Sequence, residues 1–310
     1  MKTGWLALMC LVAFAAVADE PEPARAPVRS ISPLPEGVSL VAVLTDARLD
    51  EVSGLAVSRR HPGIVWVHND SHDANTLHAV DEHGQVRASV DLPVPNVDWE
   101  DIASYEREGR TYLLVADTGD NGGIRKELVL HEVEEPATLI DQALTSVRSI
   151  RFRWPDGPRD CEAVAVDATD SSIWLVSKKR VPPELFRLEL EAVDAGDVQV
   201  AERMGTLTGI VQPSAKERAD NPLYGKYRGQ ITAADISADG QLFAVMNYQH
   251  IYLWRRHSEA WAKALSQAPV RLDLPWMAQA EAMGFDSTGL SLWISSEHIP
   301  APLIRYELPR

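Results

Sequence analysis

Short apolar segments alternate with polar turns along most of the chain, and their lengths are those of β-strands. The pattern restarts five times, roughly every 50 to 70 residues, each time with a polar residue followed by small and apolar ones. Second, third and fourth apolar segments follow each start, with turn sequences such as Asp239-Gly240 between them. The five copies begin at Glu51, Glu100, Glu162, Thr232 and Glu281.

This repeat predicts an all-β fold, a β-propeller, because four-stranded units of this length pack as blades around a common axis. The last copy stops after its third strand, whereas one unassigned strand, Val38–Leu44, precedes the first copy. We expect that strand to complete the last blade and close the ring, which removes open sheet edges. Five blades are favoured over the alternative of six. Among the longer intervals, residues 208–230 are predicted to be a loop, and residues 134–146 and 257–268 loops or short helices.

The N-terminal residues 1–18 have the pattern of a cleaved secretory signal peptide: a charged start, an apolar run and the triplet Ala16-Val17-Ala18. A membrane anchor is the competing interpretation, but the apolar run falls short of the ~20 residues that a bilayer span requires. Residues 19–37 are proline-rich and are predicted to be an extended spacer, and residues 38–310 a single propeller domain. We therefore expect a periplasmic or secreted protein without a membrane span.

Charge and cysteine content narrow the classes of function. The chain carries 45 acidic and 30 basic side chains, a net charge of −15, which disfavours nucleic acid and anionic membranes as partners and favours bound cations. Only Cys161 remains after loss of the signal peptide, so an intramolecular disulfide is excluded and the fold must rest on its core. We expect a monomer whose partner is a small anionic ligand or an envelope protein.

The first strand of each propeller blade lines the central channel, so the repeat predicts four glutamates around the channel mouth. At an effective dielectric constant of about 20, two unit charges about 4 Å apart repel by roughly 4 kcal/mol. Such a ring requires protonation, a cationic neighbour or a metal ion. Oxygen donors without a nearby cysteine favour Ca²⁺ over Zn²⁺. The predicted metal ligands are Glu51, Asn69, Glu100, Asp117, Glu162, Asn247 and Glu281.

The same glutamates also have a structural interpretation. They could accept hydrogen bonds from backbone amides of the next blade and so set blade-to-blade register, while Lys178 and Arg159 neutralise two of them. For catalysis, Lys178 and Arg159 would orient an anion, and His68 or Asp70 would act as the base. The chain contains no G-x-S-x-G, H-E-x-x-H, P-loop or G-x-G-x-x-G motif, which removes the commonest hydrolase, metalloprotease and nucleotide-binding classes.

Four segments together resemble a family of exported bacterial β-propeller proteins of largely unknown function, grouped with phytase-like and SdiA-regulated propellers. The segments are Glu51-Val52-Ser53-Gly54-Leu55-Ala56, Trp66-Val67-His68-Asn69-Asp70-Ser71, Asp98-Trp99-Glu100-Asp101-Ile102-Ala103 and Asp117-Thr118-Gly119-Asp120-Asn121. The resemblance implies an exported propeller with a Ca²⁺ site. In that family group, phytases bind phosphate through metal-bridged carboxylates and lactonases use a channel Ca²⁺. In this chain, Thr232 interrupts the carboxylate ring.

Two functional hypotheses follow. The first is a Ca²⁺-dependent hydrolase of phosphoesters, esters or lactones at the channel mouth. The second is a non-catalytic propeller that binds an envelope component, with a structural metal or none. The fold alone does not choose between them, because propellers host both kinds of function.

Overall fold

The computed structural model describes residues 34–70, 74–191 and 197–309, which form a five-bladed β-propeller. The predicted signal peptide and most of the predicted spacer lie outside the described residues. Five sheets, each with four antiparallel strands, surround a common axis, and neighbouring blades pack against each other. The prediction of five blades is therefore confirmed.

Within each blade the chain runs outward, from the first strand at the axis to the fourth strand at the rim. Blade 1 contains Val52–Val57, Ile64–Asn69, Thr76–Asp81 and Val86–Asp91. Blade 2 contains Trp99–Arg107, Arg110–Asp117, Leu128–Glu134 and Arg148–Arg153. Blade 3 contains Cys161–Asp167, Ser172–Ser177, Glu184–Glu189 and Glu202–Thr206. Blade 4 contains Ile231–Ile236, Leu242–Asn247, His250–Arg255 and Val270–Asp273.

Blade 5 is assembled from both ends of the described chain. Its first three strands are Ala280–Phe285, Ser291–Ser296 and Ala301–Glu307, and its outer strand is the N-terminal Val38–Leu44. The two terminal strands pair antiparallel, with Val38 opposite Tyr306 and Leu44 opposite Ala301. The predicted ring closure is thus confirmed, and both edges that an open ring would expose are paired.

The long connections form extra edge strands and short helices instead of a sixth blade. Gln142–Ala143 pairs parallel with the outer strand of blade 1, and Val198–Val200 pairs parallel with the outer strand of blade 2. Residues 198–206 are therefore divided between blades 2 and 3. The short helices are Ala47–Leu49, Ala215–Asp220, Gly225–Tyr227 and Trp261–Ala264.

The hydrophobic core is divided into five clusters, each of which fills the space between two neighbouring blades. Trp66 and Trp99 pack between blades 1 and 2, and Trp154 packs edge-on against Phe186 between blades 2 and 3. These aromatic side chains are almost completely buried. Because each of them removes a large apolar area from water, burial between blades holds the ring together without a disulfide.

Every first strand contains a β-bulge at the same place, one residue after its start. A bulge leaves one residue without a ladder partner and re-aims its side chain. The residues at the bulges are all buried: Ser53, Glu100, Glu162, Thr232 and Glu281.

Two buried aspartates connect the blades across the channel. Asp101 Oδ2 accepts hydrogen bonds from the backbone amides of Val164 in blade 3, at 2.8 Å, and Ala234 in blade 4, at 3.3 Å. Asp235 Oδ2 accepts one from Phe285 in blade 5, at 2.8 Å. Burial raises the pKa of both carboxyls, and the amide donors oppose that rise. The structural role that the sequence suggests for the glutamates thus belongs to these aspartates.

We expect Asp101→Ala to lower the free energy of unfolding by about 2–5 kcal/mol, because it leaves two amides of other blades buried without an acceptor. Urea denaturation measures the change. Asp220→Ala, at an exposed ion pair with Lys216, serves as the control and should stay within about 0.5 kcal/mol of the wild type. Equal effects of the two substitutions would contradict the proposed link between blades.

Candidate functional site

The bulges fix which residues face the channel mouth. Three of the five bulge positions carry glutamate: Glu100, Glu162 and Glu281. In blade 1 the bulge falls between Val52 and Gly54, so Ser53 rather than Glu51 holds the equivalent position. The predicted alignment was wrong by two residues there, because the glutamate precedes the strand instead of entering the bulge. Glu51 is exposed, although its charge still acts on Glu297.

Five carboxylates of blades 1 to 3 gather at the mouth, and we refer to Asp70, Asp98, Glu100, Asp160 and Glu162 as the acidic cluster. Oxygen atoms of Glu100, Asp160 and Glu162 lie within 4.8 Å of one another, as do those of Asp70, Asp98 and Glu100. Glu100 therefore belongs to both triads and occupies the centre of the cluster.

Asp98 and Asp160 are site residues that the sequence analysis missed. Each stands two positions before a bulge glutamate, in the segments Asp98-Trp99-Glu100 and Asp160-Cys161-Glu162. This acid-x-glutamate spacing in two neighbouring blades is the sequence signal that could have identified them. Asp160 Oδ1 accepts a hydrogen bond from the backbone amide of Asp120 at 2.8 Å, which fixes its orientation.

Glu100 is a buried carboxylate without a partner. Only 3% of its surface is exposed, and its side chain makes no hydrogen bond or ion pair with any residue that the structure describes. Gly119 leaves room for it, since a Cβ there would lie 2.2 Å from Glu100 Oε1. Burial raises the pKa of Glu100 well above its usual range; Lys178 opposes the rise, and Asp70, Asp98 and Asp160 add to it. A charged Glu100 is therefore costly, and either protonation or a nearby cation would lower that cost.

Two lysines approach the blade 3 side of the cluster. Lys178 forms an ion pair with Glu162 Oε1, and Lys179 Nζ lies 2.8 Å from Asp160 Oδ2. Glu162 Oε2 is buried and has no hydrogen-bond partner within the described part of the chain. The predicted placement of Lys178 at the mouth agrees with this geometry, and Asp70 also lies in the cluster.

Glu281 belongs to a different group from the acidic cluster. It accepts a hydrogen bond from the hydroxyl of Tyr248, and Glu297 lies beside it and accepts one from the side-chain amide of Gln279. Burial raises the pKa of Glu297, and the neighbouring charge and hydrogen bond of Glu281 raise it further. The glutamates thus form no single ring: the acidic cluster lies on blades 1 to 3, and Glu281 and Glu297 form a separate pair on blade 5.

Three of the predicted metal ligands have other partners. Asp117 forms an ion pair with Arg125 at 2.7 Å. Asn247 Oδ1 accepts hydrogen bonds from the backbone amides of Gln249 and His250, at 2.9 and 2.8 Å. These bonds stabilise the turn between the second and third strands of blade 4. Asn69 Nδ2 donates to the carbonyl of Arg48 at 3.0 Å. Asp117 belongs to neither carboxylate triad of the cluster, and the side-chain amides of Asn69 and Asn247 make local contacts with the backbone.

His68 and Arg159, predicted as catalytic, lie in the interior. The His68 ring is fully buried, packs edge-on against Trp99 with centroids 5.7 Å apart, and lies against Gly54. Burial lowers the pKa of His68, so its ring is neutral at pH 7.

Arg159 is engaged on the outer part of blade 3. Its guanidinium pairs with Asp156 and Glu184, and it stacks on Trp154 and Phe186 at 5.2 and 4.7 Å from the ring centroids. The structure therefore gives Arg159 contacts that bind blades 2 and 3 together rather than contacts with the acidic cluster.

A cavity of about 630 Å³ adjoins the cluster, and we refer to it as the mouth cavity. Lys178 and Lys179 line it on the blade 3 side, and Tyr248 and Gln279 line it beside the Glu281–Glu297 pair. The connection between blades 3 and 4 supplies another wall, with Tyr224 and Arg228. The cavity thus touches residues that contact both groups of carboxylates. Its volume is that of a small-molecule site.

Comparison with known proteins adds no argument to the one from strand pairing. No protein-family model matches the chain, and no curated protein is significantly similar to it. The chain is similar to a structure of a nidogen/laminin complex, with 12% sequence identity, a TM-score of 0.43, and coverage of 79% of this chain and 72% of that chain.

Two further structures, U3-55K and the WD40 repeats of RRP9, are each 14% identical to this chain, with TM-scores of 0.39. Both matches cover 83% of this chain, and 68% and 67% of the matched chains. At TM-scores this low the likenesses carry no argument about function, and the propeller assignment rests on the strand pairing. None of the helices that the structure describes has the length and hydropathy of a membrane span.

The pair formed by Glu281 and Glu297 generates a pH-dependent prediction. Since the pKa of Glu297 is raised above its ordinary value of 4.5, the unfolded chain binds fewer protons than the folded one between that value and the folded pKa. The free energy of unfolding therefore falls as pH rises across this window. Glu297→Gln removes the effect, so we expect its melting temperature at pH 8 to exceed that of the wild type by about 2–4 °C for each kcal/mol gained.

The measurement is differential scanning fluorimetry in the presence of a chelator, at pH 4.5 and at pH 8. At the lower pH the difference between variant and wild type should shrink toward zero. Glu307→Gln, which alters an exposed glutamate on the third strand of the same blade, is the control and should show no such pH dependence. A constant difference at both pH values would refute the raised pKa.

Proposed function

We propose that this protein is an exported propeller that binds Ca²⁺ in the acidic cluster and holds a small anionic ligand against it in the mouth cavity. The observation that carries the proposal is Glu100: a buried carboxylate at the centre of two carboxylate triads, without a cationic partner of its own. A hard divalent cation would relieve its desolvation and the repulsion from its neighbours at once.

The residues fit Ca²⁺ better than other common metals. Glu100, Asp160 and Glu162 would hold the ion, with Asp70 and Asp98 completing an all-oxygen set. The one cysteine nearby, Cys161, is fully buried, and burial raises the pKa of its thiol to about 12, so thiolate ligation is disfavoured. Oxygen donors alone favour Ca²⁺ over Zn²⁺, Cu²⁺ or other metals that prefer nitrogen and sulfur.

The charge of the ligand follows from the cations around the cavity. Lys178, Lys179 and Arg228 line it, although the chain as a whole has a net charge of −15. Together with a bound Ca²⁺ they would favour a carboxylate or phosphate group. The resemblance to phytase-like propellers supports the same class of ligand.

Export is supported by the sequence of residues 1–18, which has the charge, apolar run and cleavage-site pattern of a signal peptide. The single cysteine of the remaining chain fits an oxidising compartment, because a fully buried thiol is protected from disulfide exchange.

Calcium binding is tested on the mature protein after dialysis against EDTA. At a Ca²⁺ concentration 100 times the Kd, stabilisation amounts to about 2.7 kcal/mol, and the melting temperature should rise by about 5–10 °C. Glu100→Gln should abolish the rise. Glu51→Gln, at the exposed glutamate outside the cluster, is the matched control and should keep it.

Elemental analysis of the protein purified without chelator provides a second measurement. About one calcium per chain is expected for the wild type and for Glu51→Gln, and much less for Glu100→Gln. A wild-type protein that retains no calcium and melts at the same temperature with and without Ca²⁺ would rule out the proposed metal site.

A second candidate function, Ca²⁺-dependent hydrolysis of a phosphoester, ester or lactone, is favoured by the position of Asp70. This carboxylate is only half buried and lies in the same triad as Glu100, so it can meet water at the mouth and accept its proton. A bound Ca²⁺ would supply polarisation of the ligand oxygen. The enclosed ring of His68 offers no comparable access.

Turnover is measured with p-nitrophenyl phosphate, p-nitrophenyl acetate and dihydrocoumarin, at saturating Ca²⁺ and in EDTA. If the protein is a hydrolase, one substrate should be turned over only with Ca²⁺, and Asp70→Asn should lower kcat by about 10²–10⁴-fold. Absence of turnover on all three by the Ca²⁺-loaded protein would reject hydrolysis of these classes and favour the non-catalytic binding function.

A further inference from the structure

Aromatic side chains stand exposed around the mouth cavity. Trp276 is 56% exposed, whereas the seven other tryptophans that the structure describes are at most 6% exposed. Tyr224 and Tyr227 are also exposed and line the same cavity. Exposed aromatic rings grouped at one concave site are typical of a binding surface, since their apolar faces otherwise remain in water at a cost.

The wall that carries the two tyrosines is rigidly built. Helix Ala215–Asp220 begins with a capping box between Ser214 and Glu217, and Gln249 of blade 4 donates its side-chain amide to Glu217 Oε1 at 2.6 Å. Gly225 lies so close to this helix that a Cβ would be 2.6 Å from the carbonyl of Glu217. These contacts attach the connection to blade 4, so the aromatic wall is pre-organised.

Polar groups with both donors and acceptors complete the cavity. Side-chain amides line it from several loops: Asn121, Asn221, Gln230 and Gln279. None of the described lining residues is acidic, and three are cationic. Arg228 forms no hydrogen bond or ion pair with any residue in the described ranges, so its guanidinium is available to a ligand.

We propose that the ligand of the mouth cavity is an acidic sugar, which deepens the proposed function and rests on it for the position of the site. The C–H face of a sugar ring stacks on the flat apolar face of Trp276 or Tyr224. Side-chain amides both donate to and accept from hydroxyl groups, which are themselves donors and acceptors. Arg228 binds the carboxylate with its paired N–H groups. Lys178 and Lys179, which pair with Glu162 and Asp160 of the acidic cluster, line the same cavity.

The experiment is isothermal titration calorimetry of the mature protein, Ca²⁺-loaded and again in EDTA, with three probes: trigalacturonate, neutral maltotriose and inorganic phosphate. Trigalacturonate should bind at least tenfold more tightly than either of the others, because only it combines ring faces with acid groups. Trp276→Ala should weaken its binding at least tenfold, and Arg228→Gln should weaken it similarly without changing the affinity for maltotriose.

The controls are Leu290→Ala and Arg110→Gln, which remove an exposed apolar and an exposed cationic side chain from the turns at the opposite end of the blades. Both should bind trigalacturonate as the wild type does, and matching melting temperatures establish that all variants are folded. Equal affinity for trigalacturonate and maltotriose, tighter binding of phosphate, or unchanged binding by Trp276→Ala would overturn the inference.

The outcomes separate this inference from the calcium proposal. Loss of trigalacturonate binding only in Trp276→Ala and Arg228→Gln, in a protein that binds no Ca²⁺, would uphold the sugar site and reject the metal site. A Ca²⁺-loaded protein that binds none of the three probes would reject the sugar site and leave the calcium proposal intact.

Discussion

The β-bulge repeated in the first strand of every blade is the constraint on which the site depends. It places one side chain per blade at the channel mouth and lets the next residue face the strands across the axis. Where the bulge residue is Ser53 or Thr232, its hydroxyl donates to a carbonyl of the next blade, at 3.0 and 2.9 Å. Where the bulge residue is glutamate, its carboxylate lies at the channel mouth instead. The same backbone feature therefore produces either a hydrogen bond between blades or a side chain of the candidate site.

Burial of so many carboxylates is costly, and the protein stabilises them by different means. Asp101 accepts hydrogen bonds from backbone amides of other blades, Glu162 pairs with Lys178, and Glu281 accepts a hydrogen bond from the hydroxyl of Tyr248. Glu100 has none of these partners among the described residues. The proposed Ca²⁺ site rests on this contrast between Glu100 and the other buried carboxylates of the channel.

The architecture could be predicted from the sequence because strand repeats and ring closure are encoded locally, as Val38–Leu44 and the incomplete last copy show. The site could be predicted only in part. The predicted alignment of the blades placed Glu51 where the structure has Ser53, an offset of two residues. The apolar pattern of the sequence does not reveal where a bulge falls. Asn69, Asp117 and Asn247 stand at strand ends as predicted, but local turns and ion pairs engage their side chains. Pairing of this kind depends on three-dimensional neighbours that a repeat does not specify.

The mouth cavity could not be predicted from the repeat, because residues in the connections between blades line much of it. Tyr224 and Arg228 lie in a segment that interrupts the repeat, and Trp276 lies in the link that leads into blade 5. The charge of the cavity wall is opposite to that of its surroundings. The chain is acidic overall and the mouth is rich in carboxylates, whereas the cavity wall carries cationic and aromatic side chains. Closure of the blades does not require an exposed Trp276 on the same cavity as Arg228, an arginine that pairs with none of the described residues. An aromatic face and a guanidinium on one cavity, which Lys178 and Lys179 connect to the acidic cluster, suit an anionic ligand with an apolar face.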